Sequence, residues 1–194
     1  MPNTLLTPNQ YREEIKKSRF LALASPVTSA AEAQAFIEQQ RDLSASHNCW
    51  AWKVGNQYRF SDDGEPGGTA GRPILAAIEG QEIDQVAVLV IRWYGGIQLG
   101  TGGLARAYGG SAAKCLQTAE QRPLLTLTRV SCHVLFAELA LLNSKLAEFG
   151  AQLEQQAFDS TGATLQIALP SATVAELERL LADISRGRAS LKVL

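Results

Sequence analysis

Glycine is concentrated in one stretch of this chain. Of its 16 glycines, 13 lie between Gly55 and Gly110, seven of those between Gly95 and Gly110, and only Gly150, Gly162 and Gly187 follow. Glycine loses more conformational freedom on folding than any other residue and weakens helices and strands. A segment this rich in it must be built from loops and close backbone approaches, so regular elements have to come from elsewhere. The chain therefore divides into a loop-rich part and a regular part. The division falls at Gln121-Arg122-Pro123, where proline stops a helix-compatible stretch. This gives an N-terminal domain over 1–122 and a C-terminal domain over 126–194, and 194 residues suit one large domain or two of roughly 100.

The regular part alternates clearly. Leu125 to Leu135 is apolar and polar at period two, a strand. Leu135, Leu139, Leu142, Leu146 and Phe149 recur at helical spacing, with Gly150 as the stop. Gln152 to Phe158 and Thr164 to Leu169 are strands about a turn at Ser160-Thr161-Gly162. Thr173 and Glu176 form a capping box for a helix through Leu177, Leu181 and Ile184, and Leu191 to Leu194 is a short final strand. The order βαββαβ is the ferredoxin-like pattern.

The N-terminal part is also α+β. Tyr11 to Lys17 and Arg19 to Val27 read as strands, and Ser29 with Glu32 caps a helix running to about Asp42. Asn48 to Val54 alternates, with Trp50, Trp52 and Val54 on an apolar face. Val86 to Ile91 is apolar throughout, a strand buried on both faces. Leu104 to Leu116 is a small-residue helix with Leu104, Ala107, Ser111, Ala112 and Cys115 inward. Arg106, Gly110 and Lys114 then share an outward stripe.

Two segments owe their order to something other than propensity. Ser61 to Pro73 (SDDGEPGGTAGRP) is an acidic, glycine- and proline-rich loop carrying Asp62, Asp63, Glu65 and Thr69. A loop of this length inside a compact domain is usually functional or disordered. Tyr94 to Gly110 (YGGIQLGTGGLARAYGG) lies between the buried strand and the small-residue helix. Its Gly95, Gly96, Gly100, Gly102 and Gly103 let backbone N–H groups converge on an anion ahead of a helix N-terminus; equally, they serve tight turns and helix packing. Gly100 to Ala105 satisfies G-x-G-x-x-A, but the preceding strand ends too far upstream for a dinucleotide site, and no Walker A loop exists. The carboxylates could bind a cation or act as acid and base, or cap a turn. His47 with Cys49, and Cys132-His133, lack zinc-ligand spacing, and no G-x-S-x-G elbow is present. Trp50, Trp52 and Trp93 suit either a core or base stacking.

Composition excludes some classes. A net charge of −1 does not announce a nucleic-acid binder, though it leaves room for a local basic patch. No apolar run reaches membrane-spanning length, the N-terminus has no basic then apolar leader, and three cysteines without a C-x-x-C pair fit a reducing compartment. A cytoplasmic protein is expected.

Several segments together resemble the Impact/YigZ family. They are Lys17-Ser18-Arg19-Phe20, Ser46 to Trp52, Asp62 to Pro66 with Gly68 to Pro73, Arg92 to Gly96 with Leu99-Gly100, Gly102 to Gly109, and the final βαββαβ unit. Trp93-Tyr94 stands where the family usually has tyrosine then phenylalanine. The resemblance implies an N-terminal fold similar to domain 2 of ribosomal protein S five, shared with GHMP kinases and elongation factor G. It implies a C-terminal domain similar to the ferredoxin-like domain V of elongation factor G. Eukaryotic relatives regulate translation by interfering with activation of the starvation-responsive initiation-factor kinase; no catalytic residue carries over.

The reading at this level is a non-enzymatic, translation-related module that binds RNA or a ribosome-associated partner, with no metal or cofactor assigned. Its binding surface is the two glycine-rich segments, with Arg72, Arg92, Arg106 and Lys114 contacting phosphates. The alternatives are a GHMP-kinase-like enzyme cradling phosphate at Gly100 to Gly110 with Asp62, Asp63 or Glu65 as metal or base groups, and a protein-interaction scaffold.

Overall fold

The computed structural model describes residues 2–194, which form two compact units, 2–124 and Leu125–Leu194. Pro123 and Leu124 stay with the first unit because the chain start holds them. β1 (Asn3–Leu5) pairs antiparallel with β7 (Gln121–Pro123), and Leu124 N–H donates to the Pro2 carbonyl at 2.9 Å.

The first unit is three-layered. β2 (Asn9–Ile15), β3 (Ser18–Pro26), β4 (His47–Val54), β5 (Gln57–Ser61) and β6 (Val86–Trp93) form an antiparallel sheet in the order β2-β3-β6-β4-β5. α1 (Ala30–Gln40) covers one face, packing Ala33 and Ile37 on Trp52, Ala87, Leu89 and Ile91. α2 (Gly71–Gly80) and α3 (Gly100–Gln117) cover the other, with Ile74, Ile78, Tyr108 and Leu116 against Phe20, Ala22, Val88 and Val90. β6 is central and covered on both sides, so its sequence is apolar without alternation. The inward residues of α3 are those its period requires: Leu104, Ala107, Ser111, Ala112 and Cys115 are all buried.

Three expectations need correction. β2 ends at Ile15, and Lys16 and Lys17 form the turn into β3, both in the left-handed region at φ 46° and 64°. α2 starts inside the segment read as loop; Pro73 in its first turn costs no hydrogen bond, since those N–H groups have no partner within the helix. α3 starts at Gly100, so Gly102 and Gly103 belong to its first turn, not to the loop.

The second unit has β8 (Leu127–Leu135), α4 (Phe136–Lys145), β9 (Gln152–Phe158), β10 (Gly162–Pro170), α5 (Val174–Ser185) and β11 (Lys192–Val193). The sheet order β11-β8-β10-β9 is antiparallel, and Leu142, Leu177 and Leu181 of the helices meet Val130, Val134, Leu165 and Ile167 on one face. This is the ferredoxin-like arrangement. The capping box expected at Thr173 does not form, because its hydroxyl donates to the carbonyls of Phe149 and Pro170 instead. Among the described residues no helix is long and apolar enough to cross a membrane. The three cysteines are free and buried; burial pushes the Cys132 thiol up to about 11 and Cys115 to about 12.

Gly162 begins β10 where a Cβ would meet the Val134 carbonyl oxygen at 1.9 Å. Gly162→Ala should therefore break the β8–β10 register at that end and cost at least the roughly 1–3 kcal/mol of an overpacked core. Urea unfolding of the variant checks this, and an unchanged midpoint would contradict the close approach.

Candidate functional site

The acidic loop is held mainly by its own carboxylates. Ala70, which precedes α2, has no side-chain oxygen, and Asp62 takes over the capping: it accepts from the N–H groups of Gly68 (2.8 Å), Ala70 (3.0 Å) and Gly71 (2.8 Å). Burial raises the Asp62 pKa, but these three donors outweigh it and hold the carboxyl below its ordinary value. Asp63 accepts from Asn48 N–H at 2.6 Å, and Thr69 donates to the Pro66 carbonyl at 2.6 Å. The Asp63 carbonyl sits 2.8 Å from His47 Nδ1. A carbonyl can only accept, so His47 carries a proton on Nδ1 and turns Nε2 toward Glu65, 3.7 Å from its Oε1.

Glu65 leaves this loop and enters the protein interior. Its Oε1 accepts from Arg92 Nη1 and from the Tyr108 hydroxyl, each at 2.6 Å, so one carboxylate ties the loop to β6 and to α3. Burial pushes the Tyr108 phenol far above its ordinary value, so it stays a neutral donor. Arg92 Nε and Nη2 donate to Ser18 Oγ at 3.4 and 3.3 Å, and that oxygen also receives the Gly95 N–H at 3.3 Å. The guanidinium lies 5.8 Å from the Phe20 ring centroid and 5.3 Å from that of Tyr94. Such a pair repays its desolvation only with good geometry and further hydrogen bonds, and both are present here.

Above this network is a cavity of about 540 Å³, lined by His47, Glu65, Arg92, Tyr94, Leu99 and Thr101 among others. Its far wall is the start of α3, where Leu99 offers no side-chain cap, so first-turn amides carry the helix dipole toward the cavity without a side-chain acceptor.

The four basic residues expected to converge do not share this cavity. Arg92 lines it but is buried and bound to Glu65, so it is not a free phosphate ligand. Lys114 is exposed yet donates to Glu13 at 2.6 Å and lies over the Tyr11 ring. Arg72 lies over Phe60 at the β5 edge, 5.4 Å from the ring centroid. Arg106 is exposed and lies along the first turn of α3 beside Gly102. Glu65 is likewise no solvated acid, and Asp62 is a cap. Gly95 abuts the β2–β3 turn so closely that a Cβ there would lie 1.9 Å from the Lys17 carbonyl oxygen; Gly96 follows it in the same loop.

The spacing argument missed Lys16, Lys17, Ser18 and Tyr108. Their signal was a two-lysine turn before an isolated serine, and a tyrosine among small residues on an inward helix face.

The Impact N-terminal domain model matches residues 16–116, and a domain of unknown function (DUF1949) matches residues 132–188. An Impact family member of Thermus thermophilus is 43% identical over 175 residues, covering 90% of this chain and 97% of its own. The chain belongs to the Impact family. It is 39% identical over 189 residues to the Impact family member YigZ of Escherichia coli, covering 92% of this chain and 91% of that one. A crystal structure of a hypothetical protein superposes with a TM-score of 0.72 at 36% identity, covering 100% of this chain and 98% of the other. The Impact domain match spans every element that builds the cavity.

Three outcomes follow for this Impact domain. Glu65→Ala strands a buried guanidinium and should cost about 3–5 kcal/mol, and Tyr108→Phe about 1–3 kcal/mol, both read by denaturant unfolding. The Asp62 carboxyl is depressed in the fold, so its contribution is fully present above the unfolded value of about 3.9 and lost as pH falls below it. Asp62→Asn should flatten that acid limb; an unaltered limb would remove the capping role.

Proposed function

We propose that this protein is a non-enzymatic, translation-related regulator that binds single-stranded RNA through the cavity face of its N-terminal unit. Family membership supports the translation-related role in general. The observation that carries the RNA reading is a group of basic residues left free around the cavity. Lys16, Lys17 and Arg106 are exposed, and none has an acidic partner within 4.0 Å among the described residues. Lys17 abuts Gly95, next to the cavity-lining Tyr94, and Arg106 lies beside Gly102, next to the cavity-lining Thr101.

Both lysines have positive φ, as a two-residue hairpin turn requires, which places them together at the exposed tip of the first hairpin. The uncapped start of α3 adds backbone donors suited to a phosphate. An overall charge of −1 is compatible with this, because only a local patch is required. A kinase-like reaction has no support. Asp62 is committed to three amides and Glu65 to Arg92 and Tyr108, and among the described residues no cluster of His, Cys, Asp and Glu could hold a metal ion.

Replacing Lys16, Lys17 and Arg106 with Gln should weaken single-stranded RNA binding. The salt dependence should flatten by roughly 0.7 per lost phosphate contact. Stability should shift by less than about 0.5 kcal/mol per site, as exposed charges usually do. Filter-binding isotherms across a salt series measure both. Unaltered affinity and slope would overturn the assignment of this face.

A further inference from the structure

We infer that the cavity receives one unstacked guanine base of the bound strand, with the flanking phosphates outside on the basic rim; this rests on the RNA reading above. Size permits it: a cavity of about 540 Å³ is in the range that holds one small organic ligand. Its walls suit a flat ring. Tyr94 is 49% exposed, with Arg92 across its ring, and Leu99, Leu104 and Pro66 complete an apolar lining. Single-stranded RNA is characteristically read through bases that leave the stack and lie on aromatic faces.

The floor decides what enters. Every hydrogen bond Glu65 accepts falls on Oε1, and no protein donor reaches Oε2 among the described residues. His47 donates from Nδ1 to the Asp63 carbonyl and turns Nε2 toward Glu65 Oε1, 3.7 Å away. Arg92 uses Nε, one Nη1 proton and one Nη2 proton, which leaves two of its five N–H donors. The floor thus presents a carboxylate acceptor beside guanidinium donors.

A phosphate carries only acceptors and meets the Glu65 charge, so it is turned away to Lys16, Lys17, Arg106 and the α3 amides. A guanine edge presents the complement: N1–H and the N2 amine as donors, with O6 as acceptor. Uracil supplies one donor, and cytosine and adenine offer their donors from one exocyclic amine. Guanine satisfies the most groups.

The test uses wild-type protein and short single strands differing at one position: guanosine, inosine (which lacks the N2 amine), uridine or an abasic site. Guanosine should bind tightest, inosine several-fold weaker, and the abasic strand weakest. Base stacking is worth about 1–3 kcal/mol, or roughly 5–150-fold in affinity. Tyr94→Ala should abolish the guanosine advantage over the abasic strand. Equal binding of guanosine and abasic strands overturns the base pocket but keeps the RNA reading. A preference for uridine overturns the floor assignment. No binding by any strand overturns both.

Discussion

The buried ion pair between Glu65 and Arg92, closed by the Tyr108 hydroxyl, is the interaction on which the N-terminal unit depends. It does not have to contribute net stability; apolar side chains of equal volume in its place are often as stable or more so. What it supplies is position. Glu65 belongs to a loop with little regular structure, Arg92 to the central strand, and Tyr108 to the third helix. Through Ser18 Oγ the same guanidinium reaches the tip of the first hairpin and the Gly95 amide. Four chain segments distant in sequence thus converge on one buried charge.

Burial makes that convergence binding. Neither charge can be left alone in a low-dielectric interior, so each segment is held where the other partner sits. The loops can then be glycine-rich without being undefined. Asp62 fixes the entry to α2 from eight residues upstream of Ala70, which a fully solvated carboxylate could not do as tightly. The floor of the cavity is pinned by hydrogen bonds, while Lys17 beside Gly95 and Arg106 beside Gly102 have no acidic partner among the described residues. Hydrogen-bonded support beneath accessible charge suits recognition better than chemistry that consumes its own carboxylates.

How much of this was legible in the sequence follows from which forces leave a local pattern. The ferredoxin-like unit was readable because its central strands have one buried face and its helices one buried stripe, and both periods show in Val130, Cys132, Val134 and in Leu177, Leu181. The doubly covered β6 showed as an unbroken apolar run. β5 was missed although Tyr58 and Phe60 alternate with Gln57, Arg59 and Ser61, since four of its five residues are exposed and the alternation buries no face. α2 was masked by the glycines and proline at its start, though Ile74, Leu75 and Ile78 had the spacing. The cavity itself was half legible. Its loops were marked by composition, but the pairing of Glu65 with Arg92 spans 27 residues and that with Tyr108 spans 43, distances no local spacing encodes. Arg92 therefore read as a surface cation when it is an interior one. Lys114 read as free because its partner Glu13 lies on another element.

Amide hydrogen exchange in Glu65→Gln tests the organising role of the pair most directly. That variant keeps the side-chain shape and removes the charge that Arg92 requires. Exchange should quicken together in the Ser61–Gly71 loop, in the Tyr94–Thr101 segment and at the Lys16–Ser18 turn, with β8 to β11 unchanged. Faster exchange confined to the Ser61–Gly71 loop would contradict it, showing that each segment holds its place without the shared charge.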